Sequence, residues 1–381
     1  MLGASVAVLL CTLLVAEGLT RLLTDTHPPL SERHPMIGAR YTPNLEVEIR
    51  VPEAGRPVRL RFNDVGFRGP TRERAKPPGA CRVAVVGDSQ IAAIATDEED
   101  TLVRRLEEGL QTARPDLRWE VLNFGVSGSS TGQELVLYRE LIADFEPDLV
   151  VAAYFEGNDL IDNSDRLSWN SRIYMDLDPD GRLFQKPYSA SRARSSSWLN
   201  RNSRFYVFQK ELVNRTMHEV LDEPGLNVRG GGIGQTFRTD PDPDLDHAWQ
   251  LTEELIRTFD EEVRSAGSDF LLLYIPAAES VDPAVWNSYY GEDAGERVAS
   301  HARRKVGDIV QRNEIDAIFL TETFEERLRR GEGPFFFHGR GHVNERGQEL
   351  AAREIVEALS STGALDRLVT ECLDARPRAQ P

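Results

Sequence analysis

The chain has 381 residues, of which 40% are hydrophobic and 28% charged, as expected for a globular protein longer than one typical domain. Its 45 basic and 62 acidic residues give a formal net charge of −17. This balance argues against a nucleic-acid partner, because phosphate binding needs clustered Lys and Arg. The sequence implies no cofactor and no metal site.

Residues 1–23 form the most apolar stretch of the chain. Met1 to Ala16 carry no charged side chain, and the stretch beyond Glu17 extends it to roughly the 20 residues of a membrane span. It lacks the basic region and cleavage site of a signal peptide. A core helix would be unusual here, before a proline-containing segment. We favour an N-terminal transmembrane anchor, whose orientation is poorly encoded because Arg21 is the only nearby basic residue.

Residues 24–78 predict a linker followed by a small β subdomain. Apolar and polar residues alternate in two runs between Tyr41 and Val65, on either side of Glu53-Ala54-Gly55. This pattern is typical of a β-hairpin.

Residues 79–362 predict the main domain, and residues 363–381 a C-terminal tail. The main domain carries an insertion at 160–244 that is rich in polar residues. A lid over the site and a solvated decoration explain this insertion equally well.

Strands and helices alternate along the main domain, which predicts an α/β fold. The predicted strands are 82–86, 121–124, 148–154, 270–275 and 316–320. The predicted helices are 101–112, 132–143, 246–266, 292–313 and 344–359.

A serine follows the first of these strands. The apolar run ends at Gly87, and Ser89 enters the loop at the carboxyl end of the strand, where open α/β sheets bind their ligands. Alone, this Gly-Asp-Ser triplet favours an ordinary βα turn whose polar side chains cap the next helix.

Three further motifs follow in a fixed order. Gly128 lies in a turn after the second strand, Gly157-Asn158-Asp159 follows the third strand, and His342-Val343-Asn344 precedes the last helix. Together with Ser89, these blocks resemble the SGNH (GDSL-type) hydrolases, whose name lists the Ser, Gly, Asn and His of the four blocks. The resemblance covers roughly residues 79–360.

The resemblance implies a flavodoxin-like, three-layer α/β sandwich with a parallel five-stranded sheet in the order 2-1-3-4-5. It also implies Ser89 as the nucleophile and His342 as its general base. The backbone N–H groups of Ser89 and Gly128 and the side-chain amide of Asn158 would form the oxyanion hole. These residue types suit the chemistry, because a serine hydroxyl needs an adjacent base and an amide can donate to an oxyanion.

The usual acid of the triad is missing from its place. Relatives carry an Asp two or three residues before the histidine, where this chain has Arg340 and Gly339. A backbone carbonyl or another acid could orient the imidazole, or the protein could be a weakened or non-catalytic member. Glu279, just past the fourth strand, is one candidate surrogate acid. Glu156 and Glu332 are others, although exposed acids of this kind are more often solvated.

Two smaller departures accompany the missing acid. Ala93 stands where many relatives have a glycine after the nucleophile. Arg340 either binds an acidic substrate beside the site or is a plain surface charge.

The resemblance therefore predicts a serine esterase that hydrolyses carboxylic esters, such as O-acyl or O-acetyl groups, through an acyl-enzyme. The substrate would be an acylated small molecule, glycan or lipid. An O-acyltransferase acting on envelope glycans would use the same residues, and a non-catalytic binding protein would explain the missing acid. We expect the membrane-anchored domain to lie outside the cytoplasm, in the periplasm or at the cell surface.

Cys81 and Cys372 flank the main domain. In the implied topology, Cys81 lies at the amino edge of the sheet, and the last helix runs from the catalytic edge back towards it. We predict a disulfide between them, as oxidising compartments permit. Two unrelated thiols are the alternative.

Overall fold

A computed structural model of the chain describes residues 2–24, 29–168, 172–188, 199, 202–210, 212, 233–291, 294–337 and 341–374. The N-terminal part contains helix α1 (Leu2–Leu23) and two antiparallel strand pairs. Strands β1 (Ser31–His34) and β2 (Gly38–Tyr41) form one pair, and β3 (Glu46–Val51) and β4 (Arg56–Arg61) form the predicted hairpin.

Helix α1 does not support the predicted transmembrane anchor. Among the described residues, none of the helices combines the length and the apolarity that crossing a membrane requires. The last turns of α1 contain Glu17 and Arg21, which pair at 2.7 Å. Glu17 also accepts hydrogen bonds from the backbone N–H groups of Arg204 and Phe205.

The main domain is built on a parallel sheet of five strands in the order β11-β10-β7-β5-β6, which confirms the predicted order. The strands are β5 (Ala80–Gly87), β6 (Arg118–Gly125), β7 (Leu149–Phe155), β10 (Asp269–Ile275) and β11 (Ala317–Phe319). A short antiparallel pair, β8 (Met175–Leu177) and β9 (Leu183–Gln185), lies inside the predicted insertion.

Helices cover both faces of this sheet, so the domain is a three-layer sandwich. The helices are α2 (Ser89–Ala92), α3 (Leu102–Ala113), α4 (Thr131–Glu140), α5 (Asp159–Asn163), α6 (Pro243–Ser265), α7 (Ala278–Val281), α8 (Pro283–Tyr290), α9 (His301–Arg312), α10 (Leu320–Arg329), α11 (Glu345–Ser361) and α12 (Ala364–Asp374). Alternate strand residues point to opposite faces. Thus Ala84 and Val86 pack with α4, α6 and α9, whereas Val83 and Val85 pack with α3, α10, α11 and α12.

Two predicted elements differ from the structure. Helix α9 begins at His301, not at 292, because residues 294–300 form turns. The predicted tail contains helix α12, whose Leu365, Leu368 and Val369 are buried against the sheet. The 3- and 4-residue spacing of these apolar residues is that of a helix face. The lid prediction for 160–244 stays a prediction, since residues 189–198 and 213–232 lie outside the described ranges.

The predicted disulfide is present. Cys81 at the start of β5 is bonded to Cys372 in α12, with their Cα atoms 5.4 Å apart. The bond closes a loop with a sequence separation of 291 residues, and cross-links of such long loops stabilise folded domains by a few kcal/mol.

Candidate active site

The loop after β5 presents Ser89 as the first residue of α2. Asp88 caps this helix, because its Oδ1 accepts a hydrogen bond of 2.8 Å from the backbone N–H of Gln90. The turn is tight: a Cβ at Gly87 would lie 2.5 Å from Ile91 Cγ1, and one at Gly125 would lie 2.3 Å from the nitrogen of Ala92. Glycine at the ends of β5 and β6 therefore lets α2 approach the sheet.

His342 is held from both sides by Gln90. The Gln90 Oε1 accepts a bond of 3.0 Å from the Val343 N–H, and its Nε2 donates to the Gly341 carbonyl at 3.3 Å. Asn344, which follows Val343, caps α11, because its Oδ1 accepts hydrogen bonds from the backbone N–H groups of Arg346 and Gly347. The buried Gln90 thus couples the nucleophile helix to the histidine loop, a role that the sequence analysis missed.

Ser89, His342 and Glu53 form a continuous chain of hydrogen bonds. The His342 Nε2 lies 2.9 Å from the Ser89 Oγ, and the His342 Nδ1 lies 2.7 Å from the Glu53 Oε2. The Glu53 side chain is only 8% exposed, so the pair is shielded from solvent on that side. This is the arrangement of a nucleophile, a base and an acid that orients the base.

The acid beside the histidine comes from an unexpected place. Glu53 lies between β3 and β4, in the turn that the sequence analysis treated only as a hairpin connection. Glu279 was the named surrogate, but it lies past β10, two strands away from β5, and lines a different cavity. Glu156 bonds to Ala277 and Ser280 instead.

The hairpin is fastened to both sides of the site. Arg56 donates to Asp97 at 2.6 Å and to Glu345 at 3.0 Å, so it bridges the segment after α2 and the start of α11. Apolar side chains of the hairpin, including Val58 and Leu60, pack against residues that follow the nucleophile; Ala92 and Ala95 are among them. These contacts fix the position of the Glu53 turn.

The segment Gly66–Gly69 contacts the end of the nucleophile helix α2 and the chain just after it through the side chain of Arg68. Arg68 is 2% exposed, and its guanidinium donates to the carbonyls of Ala92, Ala93 and Thr96. Burial lowers the pKa of Arg68 to about 10. Ala93 adopts a left-handed conformation with φ +46°. The departure from glycine at this position therefore falls where the backbone favours glycine.

The predicted oxyanion donors differ in their placement. Gly128 has φ +74° and lines the same cavity as Ser89. The Asn158 Nδ2 donates to Asp162 Oδ2 at 3.2 Å, and Asn158 is not among the described residues that line the cavity. Burial raises the pKa of Asp88, although hydrogen bonds from Gln90 and Asn158 oppose this effect. The role of Asn158 as an oxyanion donor stays a prediction.

The cavity in front of Ser89 has a volume of 760 Å³. The hairpin turn contributes Val51, Pro52 and Glu53 to its wall, and Gly128 and Phe337 also line it. Gly339 and Arg340 occupy the two positions where relatives carry the triad Asp. They belong to residues 338–340, which lie outside the described residues.

One group of side chains in the described part of the chain lies within reach of a single metal ion. It consists of Cys81, Cys372 and Asp148. The two sulfur atoms are bonded to each other, so they are not available as thiolate ligands.

Neither the scan of protein-family models nor the search of curated proteins found a match to this chain. Solved structures with a similar fold include the acetyl xylan esterase AlAXEase (15% identity, 73% of this chain and 99% of that chain covered, TM-score 0.40). Others are a lipase/acylhydrolase from Enterococcus faecalis (12%, 74% and 96%, 0.38) and a putative GDSL-like lipase from Parabacteroides merdae (10%, 76% and 99%, 0.40).

Proposed function

We propose that the protein is a serine esterase that cleaves small acyl groups from an alcohol, with Ser89, His342 and Glu53 as its catalytic unit. The observation that carries this proposal is the continuous chain from the Ser89 Oγ through both imidazole nitrogens to the Glu53 carboxylate. It faces an open cavity, as a substrate requires. The binding-protein alternative was motivated by a missing acid, and Glu53 supplies one.

In the proposed reaction, the Ser89 Oγ attacks the acyl carbon while His342 Nε2 takes its proton. Glu53 accepts the Nδ1–H bond and stabilises the imidazolium that forms. The backbone N–H groups of Ser89 and Gly128 would donate hydrogen bonds to the oxyanion of the tetrahedral intermediate. His342 returns the proton to the leaving alcohol, and water then attacks the acyl-enzyme, releasing the acid and restoring the Ser89 hydroxyl.

The lining of the cavity supports binding of an apolar acyl group. Val51, Pro52, Ile94 and Phe337 give the wall an apolar part beside the polar catalytic groups. An acetyl ester fits this combination, and an acyltransferase would differ only in the hydroxyl that replaces water. The Cys81–Cys372 disulfide supports a location outside the cytoplasm, because disulfides persist in oxidising compartments.

The test is reaction with a fluorophosphonate probe and with p-nitrophenyl acetate. We expect the wild-type protein to be labelled and Ser89→Ala to be unlabelled, with hydrolysis lowered by about 10⁴-fold or more. Ser360→Ala, a change in an exposed hydroxyl on α11, is the matched control and should behave as wild type. Undiminished hydrolysis by Ser89→Ala would remove Ser89 as the nucleophile, and an unlabelled wild-type protein would favour a binding role.

A further inference from the structure

A second cleft opens at the carboxyl edge of the sheet, beyond the Ser89 cavity. It has a volume of 730 Å³, within the ~300–1,000 Å³ of small-molecule sites. Its wall includes Glu279, Ser280, Trp286, Arg297 and Glu325. Since β10 lies two strands from β5 and neighbouring strands are ~4.8 Å apart, this cleft begins about 10 Å along the edge from the nucleophile strand.

A smaller hollow of 200 Å³ adjoins this cleft on the side of Glu156. The two share Ser280, Val298 and Glu325, and the hollow reaches Glu156 and Thr321. Glu156 precedes Asn158 by two residues, so the cleft adjoins the loop that borders the proposed active site. A substrate long enough could occupy both places at once.

Two buried polar atoms of this cleft lack a hydrogen-bond partner among the described residues. Glu279 is 6% exposed and Thr321 is 3% exposed, yet the Glu279 Oε2 and the Thr321 Oγ1 have no partner. Burial raises the pKa of Glu279. Unmade hydrogen bonds of buried groups are costly, so these atoms leave hydrogen-bonding capacity for a water molecule or for a polar ligand.

The cleft also contains an aromatic side chain, Trp286. The half-buried Trp286 packs on Tyr290 with ring centroids 4.6 Å apart and on Phe237 at 5.3 Å. The Arg297 guanidinium lies over the Tyr290 ring at 5.4 Å. An aromatic surface in the same cleft as hydroxyl and carboxyl groups is complementary to a sugar ring, which has apolar C–H faces and a polar rim.

We propose that this cleft binds a sugar unit of an acylated glycan whose ester group lies at Ser89. The inference rests on the proposed esterase function and selects a glycan over a lipid. An acyl chain in the cleft would leave Glu279, Thr321 and Arg297 desolvated without partners. A phosphate group would meet the carboxyl groups of Glu279 and Glu325.

The first test compares two substrates of the full-length protein, an O-acetylated mannopentaose and p-nitrophenyl acetate. We expect Trp286→Ala to raise KM for the oligosaccharide by about tenfold or more, as loss of an aromatic anchor does. Its kcat/KM for p-nitrophenyl acetate should stay within about twofold of wild type. Tyr289→Ala is the matched control, because Tyr289 is 59% exposed on the same helix and does not line the cleft.

Glu279→Gln is a second test of the cleft in case Trp286→Ala does not fold. It should also raise KM for the oligosaccharide and leave KM for p-nitrophenyl acetate unchanged. An unchanged KM in both variants, or no hydrolysis of the acetylated oligosaccharide by a protein that hydrolyses p-nitrophenyl acetate, would overturn the proposal. Titration of Ser89→Ala with unmodified mannopentaose separates the two hypotheses. One outcome is that the wild-type protein shows no esterase activity while Ser89→Ala still binds mannopentaose in a way that depends on Trp286. That result would support the sugar site and contradict the esterase function.

Discussion

The carboxyl edge of the parallel sheet and the β3–β4 hairpin contribute to the same site in different ways. The sheet edge supplies Ser89 and Gly128 from loops that directly follow strands. The hairpin supplies Glu53 from a two-stranded element whose register pairs Val51 with Arg56 and which shares no ladder with the main sheet. It joins the site through packing and through the ion pairs of Arg56.

The proposed catalytic unit thus crosses the predicted boundary between residues 24–78 and 79–362. A strand-end loop is positioned by its own strand, so its chemistry is local in sequence. The acid at His342 is 289 residues away along the chain and depends on docking of the hairpin. The N-terminal β region is therefore part of the proposed site rather than an accessory to it.

The largest expected effect follows from removing the contribution of the hairpin. Glu53→Gln should lower kcat for p-nitrophenyl acetate by up to about 10⁴-fold, the loss seen when a triad acid becomes an amide. KM and the thermal melting temperature should change little, because the amide keeps the size of the side chain and an oxygen that can accept the His342 hydrogen bond. Steady-state kinetics and a thermal melt measure both.

Glu53→Asp retains the carboxylate on a shorter side chain and should recover part of the lost rate. Glu48→Gln removes an exposed acid from the same hairpin and serves as the matched control. A kcat for Glu53→Gln equal to that of wild type would contradict the assignment of Glu53 and leave a Ser89–His342 dyad.

A second comparison sets Glu53 against Glu156, a buried acid of the sheet edge that is bonded to neutral donors. Burial raises the pKa of Glu156 from 4.5 to about 7. The folded state therefore holds this proton more tightly than the unfolded state. Its contribution to stability is complete below pH 4.5 and is lost as the pH rises through 7, by about 3 kcal/mol in total.

Glu156→Gln should consequently lose less stability than wild type between pH 5 and pH 8. Urea unfolding at the two pH values measures the difference, and Glu349→Gln provides an exposed control on α11. An equal loss of stability in wild type and Glu156→Gln would show that Glu156 does not titrate in this range.

The smallest expected effect concerns Ala93, which the Arg68 segment holds in a left-handed conformation. Ala93→Gly should stabilise the protein by about 0.5–1 kcal/mol, because relief of the left-handed strain exceeds the added entropy of the unfolded chain. Ala92→Gly, one residue earlier in helical geometry, should instead destabilise by about 1 kcal/mol. Chemical denaturation of the pair measures both, and a destabilised Ala93→Gly would mean that the Ala93 methyl group contributes packing that outweighs the strain.

The sequence by itself determined the sheet and the residues that directly follow its strands. Runs such as 82–86 are short, apolar and rich in β-branched residues, which favours a strand buried on both faces, and Ser89 and Gly128 are placed by the strands they follow. Helix α11 and its Asn344 cap were also predictable, because a cap and an apolar face are local patterns. The Cys81–Cys372 bond was predicted from the assumed strand order, with two unrelated thiols as the alternative, and the structure contains it.

Only the tertiary structure decided which acid meets His342. Glu53 stands in an ordinary hairpin turn, and nothing local distinguishes it from Glu279 or Glu332. Its role arises when the apolar face of the hairpin packs on Ala92 and Ala95, which brings the turn to the imidazole. Contacts between distant segments depend on the shapes of both packed surfaces, and a linear pattern of residues does not record those shapes.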